Sequence, residues 1–482
     1  MLIRHVIVYL FARGLPGIVN FLALAVYTRL LTHEEFGRYS LVIAGVGLVQ
    51  VVVFQWLLLV CGRFLPAHID QPQTVLRPVL AIFLFLSVIF ALAAYAVASV
   101  LAAPEWRSII PVAIVLAITQ AWHELNLRLA TVQLDPVRYG VLSAVKAVPA
   151  LLLGAVLAWI YQSAHAPLIG LISGALVAWL FAGRSAWTGI RPRLPSSEQL
   201  SEFGRYGLPL AITFALVWIT ASSDRLMIAW FLGEAQTGIY AAGYDMAQQS
   251  LGLLLTIVNT AATPLVIRVL EKEGVEAAGR QMHQNGELMF ALAFSGAAGL
   301  IAIEPVMMGL FVGEAFREGA SSIFLWIALT AAIIGIKSFH FDIAFHLTRK
   351  STWLLVTSGL AAAANLGLNL VFIPYFGIAG AAWSALLAYS VAAVSSAIIG
   401  FRVFPMPRVL PLLVHGFVPA AGVYGSAWFC MQADISPVFK MMLSITVAGA
   451  VAMIIFLILD TAGVRQLAGR HGYRLFKNIV KR

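Results

Sequence analysis

Long apolar runs recur along the whole chain and are separated by short segments rich in charged residues, proline and glycine. Each run holds about 20 residues or more, the length that an α-helix needs to cross a hydrocarbon layer about 30 Å thick. The pattern predicts fourteen membrane-spanning helices. Their predicted bounds are 6–31, 39–62, 76–103, 108–131, 140–161, 166–189, 207–232, 238–266, 287–313, 319–347, 352–373, 377–402, 409–431 and 438–461.

The composition supports this reading. Hydrophobic residues make up 61% of the chain and charged residues 11%, with a mean hydropathy of +0.92. A soluble protein has about 25% charged residues, so this chain has too few charges to cover a water-facing surface. We predict an all-α integral membrane protein. Its first apolar run is too long for a signal peptide and is predicted to be a retained first span.

The basic residues predict an orientation. Loops on the side of the N-terminus hold most of the lysines and arginines outside the spans, and the opposite loops hold few. The positive-inside rule then places both termini in the cytoplasm. The net charge of +10 is explained by this asymmetry and needs no nucleic acid. The tail GVRQLAGRHGYRLFKNIVKR is either a segment lying on anionic headgroups or a solubilising tail.

One short segment occurs twice. LLTHEEFGRYSL (30–41) and FLGEAQTGIYAA (231–242) align with Gly37 opposite Gly238. The sequence GLP also occurs twice, at 14–16 and 207–209, each time in the predicted span that leads into one of these segments. The offset predicts two six-helix lobes in parallel repeat, followed by two extra C-terminal helices and a basic tail. The predicted segments are 1–205, 206–405 and 406–482.

Three stretches carry a resemblance to a known family. RLLTHEEFGRYSL, DRLMIAWFLGEAQTGIYAA and NLGLNLVFIPYFGIAGAAWS (365–384) resemble the polysaccharide-transporter branch of the multidrug/oligosaccharidyl-lipid/polysaccharide exporter superfamily, which includes the Wzx-type flippases. The glycines and proline of these stretches are typical of turns and of closely packed helices.

The resemblance implies a two-lobed transporter with a central cavity that opens alternately to each side of the bacterial inner membrane. It implies a cargo of oligosaccharide on undecaprenyl pyrophosphate, moved from the cytoplasmic to the periplasmic leaflet for O-antigen, capsule or exopolysaccharide assembly. Membrane lipids, the polysaccharide polymerase and the chain-length machinery are the candidate partners. No cofactor is expected.

Two charges stand side by side in the apolar stretch LVWITASSDRLMIAWFLG. A charge near the bilayer centre is costly and normally faces a cavity or a partner. Asp224 and Arg225 are adjacent on a helix and do not face each other. Arg225 shares its face with Ser222 and two alanines, which favours a bundle interior or cavity wall. The alternative is that Arg225 reaches the outer headgroups.

The first span has a polar stripe as well. Arg13 shares it with Tyr9, Pro16, Gly17 and Asn20. Proline and glycine free backbone groups that polar cargo or water can satisfy, so we predict Arg13 and Asn20 as cargo-binding residues. Arg13 reaching the cytoplasmic headgroups is the alternative.

The tenth span carries Lys337 near its middle, with His340 one turn further on. Together with Arg13 and Arg225, Lys337 is predicted to form a cationic lining that holds the pyrophosphate, because charge-assisted donors offset its desolvation. His340 is predicted to bind cargo beside it. Asp342 and His346 are four residues apart and are predicted to pair, and with Asp224 they are candidates for ion coupling.

Other polar residues in the spans have simpler interpretations. Lys146 is predicted to anchor its helix at the cytoplasmic face. Glu124 and Arg128 are predicted to form an i, i+4 ion pair. Asn365 and Asn369 share a face and are predicted to bond between helices, with sugar hydroxyls as the alternative.

Two other functions remain open. A cation-coupled multidrug exporter of the same superfamily is one, although such proteins usually have twelve spans and a carboxylate site. An enzyme that polymerises or ligates sugars is the other, and the short loops disfavour it. The sequence holds no motif for a metal site, a catalytic nucleophile or a phosphate-binding loop.

Overall fold

The chain is helical throughout the residues that the structure describes. A computed structural model describes residues 2–68, 70–101 and 103–465, without the side chains of residues 2–14, 101 and 261. Within these ranges the helices are joined by short turns, and there is no β-strand. The α-helices are α1 (Leu2–Leu30), α2 (His33–Val49), α3 (Gln55–Phe64), α4 (Gln73–Leu101), α5 (Ile109–Val132), α6 (Pro136–Tyr161), α7 (His165–Ala178), α8 (Ser197–Leu232), α9 (Glu234–Glu273), α10 (Val275–Phe311), α11 (Glu314–Ile336), α12 (Ile343–Leu347), α13 (Thr352–Val403), α14 (Val409–Met431) and α15 (Pro437–Leu459).

The predicted spans all have helical counterparts. Among the described residues, 12 helical segments are long and apolar enough to cross a membrane. One of them is α13, which Gly377 breaks into two helices with φ of 62° and ψ of −143°. Helix α1 adds one further predicted span, with the apolar segment Leu15–Leu30 among its described side chains. The all-α, multi-pass architecture is therefore confirmed.

In the described part of the chain, three spans contain a π-helical turn. These turns join α2 to α3 at Gln50–Phe54, follow α7 at Trp179–Gly183, and join α11 to α12 at Lys337–Phe341. Such a turn bonds i to i+5 and shifts the side chains that follow it around the helix axis. The third turn therefore changes which residues of the tenth span face one another.

The helices pack into two compact units. The first unit ends at Ala242 and holds α1 to α8 with the first turns of α9. Within it, α6 and α7 approach closely because glycines face each other. A Cβ on Gly170 would overlap the backbone of Ala150 and Gly154.

The second unit begins at Gly243 and includes the two C-terminal spans. Helix α14 packs on α10, where the rings of Phe294 and Phe417 stack with centroids 4.6 Å apart. The chain that follows α15 is tied to α10 by a bond of 2.7 Å from the Ala462 N–H to Glu287. The predicted segment bounds, 1–205, 206–405 and 406–482, stay predictions.

The two copies of the repeat meet at the N-terminal turns of α2 and α9. A Cβ on Gly37 would overlap the backbone carbonyl of Glu234, and a Cβ on Gly238 would overlap the carbonyl of His33. Each glycine thus lets the opposite backbone approach, as small residues do between membrane helices. The matched glycines of the repeat are a packing contact.

We expect Gly37→Ala to lower stability by about 1–3 kcal/mol, because the added methyl group forces α2 and α9 apart. Gly45→Ala is the matched control, since Gly45 lies on the same helix with no atom near its Cβ position. The control is expected to gain up to about 1 kcal/mol from helix propensity. The melting temperature of the purified protein in detergent measures both. Equal melting temperatures for the two variants would contradict the close contact.

Candidate functional site

The two adjacent charges of α8 bond to different helices. Arg225 donates to the hydroxyl of Ser40 on α2 at 3.1 Å, and the hydroxyl of Tyr240 on α9 donates to Asp224 at 2.8 Å. Asp224 is 2% exposed and Arg225 9%. Both charges are therefore held inside the protein, as the small and polar face of this span predicts. The predicted roles of Arg225 in cargo binding and of Asp224 in coupling stay predictions.

A second polar cluster surrounds the contact of α2 with α9. Arg38 donates to Glu234 at 2.5 Å and to Glu35 at 2.6 Å. The indole N–H of Trp106 also donates to Glu234, at 2.7 Å. Glu35 in turn accepts the backbone N–H of Ala164 at the start of α7, at 2.6 Å. This cluster, which we call the α2–α9 junction, joins four parts of the first unit.

This junction was not predicted from the sequence, because Arg38 and Glu234 fall between the predicted spans, where charged residues are expected. The signal was present in the repeat itself. With Gly37 opposite Gly238, HEEFGR (33–38) aligns with EAQTGI (234–239), so Arg38 follows one matched glycine and Glu234 lies one helical turn before the other. Transporters built from repeats have their sites where the two copies meet, so these opposite charges were a usable indication of contact.

The third polar cluster lies in the π-helical turn of the tenth span. The Lys337 ammonium donates to Asp342 at 2.7 Å, and the hydroxyl of Ser396 on α13 donates to the other carboxylate oxygen at 2.8 Å. All three residues are buried. Lys337 is thus neutralised within the protein. Its predicted part in a cationic lining stays a prediction.

The predicted pairing of Asp342 with His346 is wrong. The N–H of Asp342 bonds to the carbonyl of Lys337, five residues earlier, at 2.9 Å. This π-type bond brings the side chains of Lys337 and Asp342 together, whereas the prediction assumed a regular α-helix. His346 is exposed.

His340 lies in the same turn and is 2% exposed. Its ring packs edge-on against Phe290 of α10, with centroids 5.6 Å apart, and against the backbone of Gly286. Its Nε2 atom is buried and has no hydrogen-bond partner among the described residues. The predicted binding of cargo by His340 is not tested by this packing.

The fourth polar cluster lies in the first unit and lines a cavity of about 340 Å³. Lys146 on α6 donates to the amide oxygen of Gln120 at 2.6 Å, and the amide nitrogen of Gln120 donates to Glu124 at 2.8 Å. Asn20 of α1 and His123 of α5 also line the cavity. Of the predicted cargo-binding residues, Asn20 is placed here.

Two predictions about this cluster are wrong. Lys146 does not reach the membrane face, because it bonds to Gln120 inside the unit. Glu124 does not pair with Arg128, which donates instead to the carbonyl of Leu58 on α3 at 3.2 Å. Gln120 bonds to both charged side chains, to Glu124 one turn along α5 and to Lys146 on α6.

Arg13, Asn365 and Asn369 are the remaining residues to which the sequence assigns a predicted role. The side chain of Arg13 lies outside the described residues. Asn369 donates to Asn365 at 3.1 Å, and both side chains are fully buried. No group of three or more His, Cys, Asp or Glu side chains in the described part of the chain is arranged to hold a metal ion.

Fold and sites together define a multi-pass membrane protein with a transporter fold. The structure is similar to "Lipid II flippase MurJ, inward closed conformation", with a TM-score of 0.77 and 13% identity over 96% of this chain and 100% of that one. It is also similar to an inward-facing multidrug resistance MATE family transporter, with a TM-score of 0.65 and 15% identity over 82% of this chain and 98% of that one. A transporter of the MOP superfamily from Pyrococcus furiosus gives a TM-score of 0.59 and 15% identity over 83% of this chain and 95% of that one.

The sequence assigns the family. Residues 26–321 match the model of the polysaccharide biosynthesis protein family, which is more than half of the chain, and the chain belongs to that family. No curated protein sequence matches the chain. The resemblance to the polysaccharide-transporter branch of the exporter superfamily is thereby confirmed.

We expect Lys337→Met to destabilise the protein by about 3–5 kcal/mol, because the Asp342 carboxylate stays buried without its cation. The double variant Lys337→Met/Asp342→Asn is expected to lose less than the two single variants together, since no buried charge is left unpaired. Urea unfolding of the purified protein in detergent measures the free energies. Lys350→Met, at an exposed position, is the control. Additive losses would contradict the ion pair.

Proposed function

We propose that this protein is a flippase that moves an undecaprenyl-pyrophosphate-linked oligosaccharide from the cytoplasmic to the periplasmic leaflet of the bacterial inner membrane. The observation that carries the proposal is the family match over residues 26–321, in a chain whose fold is similar to a lipid II flippase. The partners that we propose for this flippase are the polysaccharide polymerase and the chain-length machinery. Both termini are placed in the cytoplasm, following the distribution of basic residues.

A transport function also fits the chemistry of the spans. The polar clusters bury cations and carboxylates that bond within the protein, and the helices are joined by turns too short to form a separate catalytic domain. A polysaccharide polymerase needs acceptor sites outside the bilayer. We therefore propose a transporter that carries no catalytic residue.

The multidrug exporter is the second candidate, because the fold is also similar to a MATE family transporter. The two functions differ in cargo charge. An exporter of cationic drugs needs a carboxylate whose charge the cargo can neutralise, whereas the charge of Asp342 is already neutralised by Lys337. This pairing favours the flippase.

We propose alternating access as the mechanism, with the α2–α9 junction as a contact that opens during the cycle. The junction contains a partly exposed ion pair beside glycine backbones in contact. Partly exposed ion pairs stabilise little, so such a contact separates at low cost. Helix α9 begins at the junction and continues past Ala242, where the first unit ends.

The proposal predicts that fixing α2 to α9 stops polysaccharide export. Arg38→Cys/Glu234→Cys is expressed in cells that lack the native gene, and a reducible bifunctional thiol reagent then joins the two cysteines. We expect new surface polysaccharide to disappear and lipid-linked oligosaccharide to accumulate, with recovery after reduction. Immunoblotting of pulse-labelled polysaccharide and mass spectrometry of the lipid fraction measure both.

Each single cysteine variant, treated with the same reagent, is the matched control. The native thiols Cys61 and Cys430 are buried and give little background. Undiminished export at complete cross-linking would contradict the opening of the junction. Normal polysaccharide in cells without the gene, together with a loss of tolerance to cationic dyes, would identify the exporter instead.

A further inference from the structure

The cavity in the first unit has a lining that no assigned function explains. It lies among α1, α2, α5, α6 and α7, is half open, and has a volume of about 340 Å³. Polar groups enter it from three helices, with Asn20, His123, Glu124 and Lys146 among them. We propose that this cavity binds one uncharged sugar ring of a saccharide cargo. The inference rests on the proposed function, which supplies a cargo that carries sugars.

The charges of the cavity determine the class of ligand. Gln120 connects Lys146 to Glu124 through hydrogen bonds of 2.6 and 2.8 Å, so one cation and one carboxylate share the lining. A pyrophosphate group needs positive charge and donors, and Glu124 would repel it. A cationic drug would be repelled by Lys146. An uncharged molecule that both donates and accepts hydrogen bonds meets neither penalty.

His123 adds a histidine ring to the lining of the cavity. It is 3% exposed, and its Nδ1 atom is closed off from solvent without a hydrogen-bond partner among the described residues. A buried ring nitrogen left unbonded is costly, so a turn of the ring that brings Nδ1 to a ligand in the cavity is favoured. A hydroxyl both donates and accepts, so after that turn it can bond to Nδ1 whichever ring nitrogen of the neutral histidine carries the proton.

The apolar part of the lining can contact the C–H groups of a sugar ring. Apolar side chains, Val19 and Leu151 among them, alternate with the polar ones and can cover ring C–H groups. The rings of Tyr27 and Tyr39 meet edge-on at the wall, with centroids 5.8 Å apart. Small-molecule sites span about 300–1,000 Å³, so this cavity lies at the small end of that range and has room for a sugar ring.

The test is protection of a cysteine from alkylation. Asn20→Cys and, separately, Ser143→Cys place a thiol in the cavity of the purified full-length protein, and N-ethylmaleimide labels it. The probes are the methyl glycosides of glucose, galactose, mannose and N-acetylglucosamine. A single ring is expected to bind with a Kd of about 10 mM, so at about 100 mM at least one glycoside should slow labelling about tenfold at both positions.

Matched substitutions on α6 separate binding from a general effect of the sugar. Ala147→Phe fills the cavity and should abolish protection, whereas Val148→Phe adds the same ring at the next residue, which is 41% exposed and lies outside the lining. Sodium pyrophosphate and tetraphenylphosphonium should not protect either cysteine. Protection by pyrophosphate or by the cation, or by no glycoside at all, would overturn the inference. So would protection that survives Ala147→Phe.

This assay needs neither lipid-linked cargo nor transport, so its outcome is independent of the export experiment. Protection by a glycoside in a protein that does not support polysaccharide export keeps the sugar site and refutes the flippase. Export without protection refutes the sugar site and keeps the flippase.

Discussion

Polar groups inside this protein depend on partners supplied by the protein, because the hydrocarbon around it offers none. In the described structure several buried charges find such partners on helices that are distant in sequence. Arg225 on α8 bonds to Ser40 on α2, and Asp342 is shared by Lys337 and by Ser396 on α13. Each bond fixes one helix against another, so the same charges that are costly in a bilayer also define how the helices pack.

Small residues complete this arrangement. Without a hydrophobic force between helices in lipid, close backbone contact is what holds them together. Gly37 and Gly238 provide it where α2 meets α9, and Gly170 provides it between α6 and α7. The first of these contacts is flanked by the Arg38–Glu234 ion pair and joins a helix that runs through both units. A contact that is close but weakly bonded suits a transporter, which has to break and remake it.

The fold was largely predictable from the sequence, and the site was not. Hydropathy locates spans because each must match the bilayer thickness, so all fourteen predicted spans have helical counterparts. Side-chain partners depend on rotation about each helix axis. The π-helical turn at Lys337–Phe341 changed that rotation and replaced the expected partner of Asp342. Gln120, an uncharged residue, altered the partners of Lys146 and Glu124 in a way that charge spacing does not reveal.

Movement of a lipid-linked saccharide between leaflets can be measured directly with the purified protein. The protein is reconstituted into vesicles that carry a fluorescent undecaprenyl-pyrophosphate-linked saccharide, and a membrane-impermeant quencher measures the fraction of label in the outer leaflet over time. We expect this lipid to move between leaflets much faster in vesicles with the protein than in protein-free vesicles, and a fluorescent phosphatidylethanolamine to stay in its leaflet. Equal rates with and without protein, or equal movement of both lipids, would contradict it.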